Sequence, residues 1–201
     1  MMSFNAVEAA STVQAVALEK AFRLLNHGPT VLVTSAHHGH SNVMAAAWNM
    51  PLDFNPARVA IVIDKKTFTR DLIEASGTFA INIPCRAQAD MVVRVGSSSG
   101  RELLGKSPSN KFEAFDLRTF PTTHIAAPLL AGCVAWLECR IIPEPHMQQA
   151  YDLFIAEVIA AYADNRVFSE GRWHFDGHDD LRTLHHVAGG FFFTPDTGIS
   201  T

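Results

Sequence analysis

The sequence predicts a mainly β protein with a few helices, built as an antiparallel barrel or sandwich. Apolar stretches of strand length follow one another without the regular strand–helix alternation of a parallel sheet. Glycine-containing turns separate several of them, beginning with HHGHS at residues 37–41. Of the 201 residues 48% are hydrophobic and 18% charged, enough apolar matter for a real core and too little charge for a disordered chain.

Taken in order, residues 1–10 read as loose. Residues 12–27 predict a helix, because Val13, Val16, Ala17, Ala21, Leu24 and Leu25 recur at three- and four-residue spacing. His27-Gly28-Pro29 then ends it. The chain thus divides into an N-terminal helical segment, residues 1–27, and one domain, residues 28–201. TVLVTSA (30–36) and NVMAAAWNM (42–50) predict two strands around the histidine-rich turn, and ARVAIVID (57–64) a third. A short helix runs up to Gly77, and TFAINIP (78–84) returns as a strand. Residues 85–96 predict a helix and residues 97–112 a long polar loop of the kind that carries function. In the strand GCVAWLECRII (132–142), Cys133, Ala135, Leu137, Cys139 and Ile141 share a face. AYDLFIAEVIAAYA (150–163) fits a helix or a strand buried on both sides, and periodicity alone leaves both open.

The net charge of −4 and the lack of a basic run argue against nucleic acid. No apolar run approaches the roughly 20 residues of a membrane span. No basic-then-apolar signal pattern opens the chain, which reads as soluble and cytoplasmic. Three cysteines, Cys85, Cys133 and Cys139, form no CxxC pair and read as reduced core residues.

Against this background the run DKKTFTR (64–70) stands out. Lys65, Lys66, Thr67, Thr69 and Arg70 crowd the start of a helix, where unpaired amides and the helix dipole favour an anion. Hydroxyls from Thr67 or Thr69, a forked Arg70 and a lysine point charge are the groups a phosphate takes. Neither a Walker loop nor a GxGxxG fingerprint occurs. On the strand 78–84, Ala80 and Asn82 face away from Phe79, Ile81 and Ile83, leaving room for a ligand with polar edges.

The segments GPTVLVTS, SNVMAAAWNM, RVAIVIDKKTFTRDLIEASGTFAINIP, SSSGRE, NKFEAF and LECRII, in that order across residues 28–193, resemble the flavin reductase-like family, the flavoredoxin-type branch of the FMN-binding split barrels. The resemblance implies a Greek-key-like antiparallel split barrel, a homodimer with FMN near the subunit interface, and a strand for residues 150–163. It implies that Met44, Ala45 and Ala46 line the isoalloxazine ring, with Trp48 packed nearby. Lys65, Lys66, Thr67, Thr69 and Arg70 would hold the phosphate or ribityl chain, and Asn82 and Ile83 would border the flavin. Ser99, Gly100, Lys111 and Phe112 would close the site. Lys111 would stand near the ring as a tuning cation, with Lys106 competing because the intervening loop is longer than the family's spacer. NADH or NADPH would be the hydride donor, and the product either an NAD(P)H:flavin reductase serving a partner oxygenase or an electron carrier that retains FMN.

Ten histidines offer rivals. His37, His38 and His40 share a turn, and His174 and His178 flank Asp176, a set that a metal-dependent enzyme could use. No HExxH-like spacing occurs, and no metal is expected. One histidine, His146 or His186, is nominated to border the flavin. A non-catalytic flavin-binding module is the third alternative.

Overall fold

The computed structural model describes residues 12–25, 27–196 and 198. The loose stretch expected at residues 1–10 lies outside them. The strands are β1 (Val13–Ala15), β2 (Val31–His37), β3 (His40–Ala46), β4 (Asn49–Phe54), β5 (Ala57–Val62), β6 (Thr78–Ile83), β7 (Thr119–Phe120), β8 (Leu129–Leu130), β9 (Ala135–Ile142), β10 (Leu153–Asp164), β11 (Phe168–Ser169), β12 (Arg172–Trp173), β13 (His185–Ala188) and β14 (Phe191–Phe193). The α-helices are α1 (Phe68–Ser76), α2 (Ala89–Gly96), α3 (Lys111–Ala114) and α4 (Pro145–Tyr151).

Eight strands form one antiparallel sheet in the order β3-β2-β6-β9-β10-β5-β4, with β1 also on β10. The 12-residue β10 makes this possible. Its first half pairs with β5, from Leu153 to Glu157, and its last residues pair with β1 along the same side. Its other side pairs with β9, through an irregularity between Val158 and Ala160.

Both faces of the central strands are covered, which follows from the period of two. Val31, Val33, Phe79, Ile81, Ile83, Leu137, Cys139, Phe154 and Val158 form one core inside the barrel. The alternate residues Leu32, Val43, Ala80 and Trp136 join Val92 and Val95 of α2 and Leu129 and Leu130 in a second core outside it. All three cysteines are buried and free.

Three expectations change. The helix expected over residues 12–27 is strand β1 followed by a 3-10 helix, Leu18–Leu24, because edge pairing to β10 outweighs the local helical period. The strand expected over 42–50 breaks after Ala46 into β3 and β4. The strand expected over 132–142 begins at Ala135. The ambiguous segment is a strand over most of its length, as the resemblance implies: α4 ends on Asp152 in a left-handed conformation, and β10 starts one residue later. The loop at 97–112 holds a 3-10 turn, Gly100–Leu103, and the start of the four-residue α3.

The second core also decides Asn82. The face it shares with Ala80 is roofed by β8 and α2 and is not open to a ligand. Asn82 Nδ2 donates to the Leu32 carbonyl at 3.0 Å and to Thr34 Oγ1 at 3.2 Å, and its Oδ1 accepts from Leu130 N–H at 2.8 Å. Asn82 is thus a buried staple, and Ile83 is a fully buried residue of the inner core.

The hairpin β13–β14 docks beside β2. Thr30 N–H donates to the Leu184 carbonyl, and His186 N–H donates to Thr30 Oγ1. The His27 ring meets His185, His27 Nδ1 to His185 Nε2 at 3.3 Å, and Trp173 lies edge-on to His27. Burial, with repulsion from His185 second, pushes His27 down to about 4, while the Leu24 carbonyl opposes the shift. His185 is lowered as well, chiefly by burial.

Replacing Asn82 with Leu strands the Leu130 amide and should cost about 3 kcal/mol in urea unfolding. A loss below about 1 kcal/mol would contradict the staple. The lowered His27 value carries a sign. Folding favours the neutral ring, so its contribution is complete above pH 6.5, falls as pH drops, and levels off near pH 4. His27→Phe should therefore flatten the pH dependence of unfolding between pH 6.5 and 4 by an amount on the order of 2 kcal/mol. Parallel curves for variant and parent would contradict this.

Candidate functional site

The site is built around the start of α1. Thr67 caps the helix: its Oγ1 accepts from Arg70 N–H at 3.2 Å and donates to the Asp64 carbonyl at 2.8 Å. Asp64 Oδ1 in turn accepts from Lys66 N–H. Gly77 ends the helix at φ 72°, which suits glycine. The next amides, of Phe68 and Thr69, open the helix without intrahelical partners and face a cleft of about 350 Å³.

That cleft gathers Met44 and Ala45 from β3, Lys66, Thr67 and Thr69 from the α1 start, Ser99 and Gly100 from the loop after α2, and Lys111 from α3. All eight are residues nominated from the sequence. Ser98, Gly96 and Asn42 also line it and were missed. Asn42 donates from Nδ2 to Thr69 Oγ1 at 2.9 Å, and its buried Oδ1 has no partner. The backbone of Gly100 lies so close that a Cβ there would collide with Asn42 Oδ1. No period or motif marks Asn42. A hydrogen-bonding residue on the strand that the family lays along the ligand was the one available signal.

Lys111 is 2% exposed, and its Nζ donates to the Val43 carbonyl at 3.0 Å and the Val95 carbonyl at 2.8 Å. It therefore bridges β3 to the end of α2, where the carbonyls carry partial negative charge. Asn110 fixes its start by accepting from Glu113 N–H. Desolvation lowers the Lys111 ammonium to about 8. Among the described residues no carboxylate lies within ion-pair distance of it, and one of its three protons is unspent. Lys106 is exposed and lies outside the cleft that Lys111 lines.

Arg70 is the chief correction. It sits on the buried side of α1, three residues before Ile73, and turns away from the cleft. Its guanidinium bonds to Glu74, Asp152 and the carbonyls of Ile63 and Gln148, and stacks over Phe154 at 4.6 Å. Four of its five N–H donors are taken and the side chain does not line the cleft, so Arg70 clamps α1 to α4 and β10 rather than reaching a phosphate there. Lys65 points toward Asp152 at 3.9 Å and does not line this cleft. Trp48 is 76% exposed and lies outside as well, because the chain breaks between β3 and β4. Phe112 packs in the outer core.

A second cleft, about 510 Å³, adjoins the first through the shared residues Ala45 and Gly96. Ala45, Ala46 and Ala47 with Val92 and Val93 form one side, and His186 and Phe192 of the hairpin the other. No Lys, Arg, Asp or Glu lines it. His186 thus borders this cleft, whereas His146 lines neither. A separate cavity of about 690 Å³, between His27, Trp173, Phe175 and Phe193, contains none of the nominated flavin residues. Among the described residues no three His, Cys, Asp or Glu side chains converge to hold a metal, so the His174–Asp176–His178 set does not assemble. No helix among them is long and apolar enough to cross a membrane.

A crystal structure of an FMN-binding domain of flavin reductases-like enzyme from Shewanella baltica OS155 superposes with a TM-score of 0.88, at 47% identity over 94% of this chain and 97% of that one. Flavoredoxin of Desulfovibrio vulgaris (Miyazaki F) shares the fold with a TM-score of 0.72 at 22% identity, over 87% and 90% of the two chains. The uncharacterized protein YddH of Escherichia coli K12 is 47% identical over 182 residues, 89% of this chain and 93% of its own. The profile of the flavin reductase like domain matches residues 23–186. With a split-barrel fold and a sequence matched over most of its length, the chain belongs to the flavin reductase-like family.

Proposed function

We propose that the chain binds FMN across the two adjoining clefts, with the phosphate at the α1 start and the ring along β3. The observation that carries this is Lys111: a desolvated ammonium with no carboxylate beside it, facing the same cleft as the helix amides and Thr69. A doubly charged phosphate supplies the missing counter-charge. The uncharged second cleft suits a flat ring with polar edges, and its small floor, Ala45 to Ala47, leaves backbone groups within reach of that ring. The buried, unpartnered Asn42 Oδ1 and the close approach of Gly100 fit a site shaped for a ligand. In this reading Lys111 serves the anionic end, where the resemblance had put it beside the ring.

When bound, FMN supplies hydride and electron transfer. The chain's part is to hold and orient it. Thr67 keeps the α1 amides aimed at the cleft, Asn42 fixes the Thr69 hydroxyl, and Lys111 with Lys66 balances charge. The activity proposed is an NAD(P)H-dependent flavin reductase, serving a partner oxygenase or acting as a flavoredoxin-like electron carrier. A homodimer is supported by β4, an edge strand whose residues Met50, Leu52 and Phe54, with Trp48 before them, expose an apolar stripe.

Lys111→Met should weaken FMN binding at pH 7 about tenfold or more, while riboflavin, which lacks the phosphate, loses far less. Equal losses for both ligands would contradict the phosphate assignment. Because the free Lys111 titrates near 8, FMN affinity should fall as pH rises above 8, and Lys111→Met should abolish that fall. Gly100→Ala forces Asn42 off Thr69 and should weaken FMN by about tenfold without unfolding the protein; unchanged affinity would contradict the close-approach role. Trp48→Asp with Met50→Lys should yield a monomer in sedimentation, and a persistent dimer would move the interface elsewhere.

A further inference from the structure

The cleft at α1 has two walls that come from different parts of the chain. One is the helix start, with Lys66, Thr67, Phe68 and Thr69, and the other is the stretch from Ser98 to Gly100. Beyond the second wall the chain runs through residues 101–109, none of which joins either core. All of them but Leu103 are exposed, so burial does little to hold the segment. Gly100 is buried, with its backbone against Asn42. One residue further on, Arg101 Nη2 meets Asp71 Oδ2 at 2.7 Å, in the first turn of α1. The same guanidinium lies over the Phe68 ring, 5.7 Å from its centroid. Among the described residues this is the only ion pair made by residues 97–110. Neither Arg101 nor Asp71 lines the cleft, so the pair ties one wall to the other from outside.

We propose that Arg101 and Asp71 are positioning residues that form a latch, gating FMN into and out of the cleft and setting its rate of exchange. The proposal rests on the FMN reading, since it assigns a regulation to that same site. When the pair parts, the wall at 98–100 is free to swing from α1 and the mouth widens. The helix is the fixed side, because the buried Arg70 clamps it to Asp152. The loop is the moving side. The Arg101 and Asp71 side chains are 49% and 46% exposed, so water competes for the pair and salt screens it. A pair of this kind breaks often. Standing outside the cleft, it holds the walls together equally well whether the cleft is filled or empty. It therefore slows entry and exit alike and leaves the affinity in place. Lys111 and the α1 amides set how tightly FMN is held, and the latch sets for how long. FMN is then an exchanging ligand whose residence time shortens as ionic strength rises.

The test follows flavin fluorescence in a stopped-flow instrument with the full-length protein. Association is read on mixing with FMN, and release on rapid dilution of the loaded protein. The deciding variant is Asp71→Asn with Arg101→Gln, which removes the latch and leaves the net charge unchanged. Both rates should rise about threefold or more, while Kd stays within about twofold of the parent. Arg101→Lys and Asp71→Glu keep a charge pair and should keep both rates within about twofold. Between about 0.05 and 0.5 M salt, release from the parent should accelerate more steeply than release from the double variant. An unchanged release rate in the double variant, faster release with unchanged association, conservative variants as fast as the double variant, or parallel salt dependences would each overturn the latch. Failure of the parent to take up FMN would overturn the underlying reading instead, and shows before any rate is compared.

Discussion

The site depends on one ammonium group. Lys111 Nζ is drawn out of water and suspended between the carbonyls of Val43 and Val95, joining the edge of the barrel to the end of α2. Two carbonyl dipoles replace part of its hydration but do not neutralise it, and burial pushes its proton affinity down. A cation held this way biases everything near it toward an anion. The α1 amides, the Thr69 hydroxyl and Lys66 face the same space and share that bias.

A second buried cation nearby shows why Lys111 is different. Arg70 is 5% exposed, about as buried, yet it is satisfied from within by Asp152, Glu74, two carbonyls and an aromatic face. It holds α1 against α4 and β10, and so keeps the helix start in place. One cation is spent on architecture; the other has two carbonyls and no carboxylate, which is why we propose it for the phosphate. The distinction is a matter of which carboxylates converge, and Asp152 lies 82 residues from Arg70 in the chain.

That separation explains what could be read from the sequence and what could not. The succession of strands along the chain, the α1 start and its Gly77 stop depend on neighbours within a few residues, and they were legible. Lys66, Thr67, Thr69, Gly100 and Lys111 line one cleft, and they could be named together because the resemblance carries long-range placement that periodicity lacks. Arg70 and Asn82 were misjudged for the same physical reason. Each has a side chain suited to a ligand, and each is consumed by partners brought in by tertiary contacts: Asp152 and Gln148 for one, Leu32 and Leu130 for the other. Asn42 was missed because only the folded loop brings Gly100 against it. The helix expected before His27 failed at its first half, where pairing with the far end of β10 took precedence over the local pattern.

Charge also organises the space beyond Lys111. The cleft at α1 collects cationic and hydroxyl groups, and the one it joins through Ala45 and Gly96 collects none. A ligand with a charged tail and a flat head matches that division. The most direct measurement is a crystal structure grown with FMN. The phosphate should lie within hydrogen-bonding distance of Lys111 Nζ, Thr69 Oγ1 and the first amides of α1. A phosphate bound elsewhere, with Lys111 still held only by Val43 and Val95, would contradict the central claim.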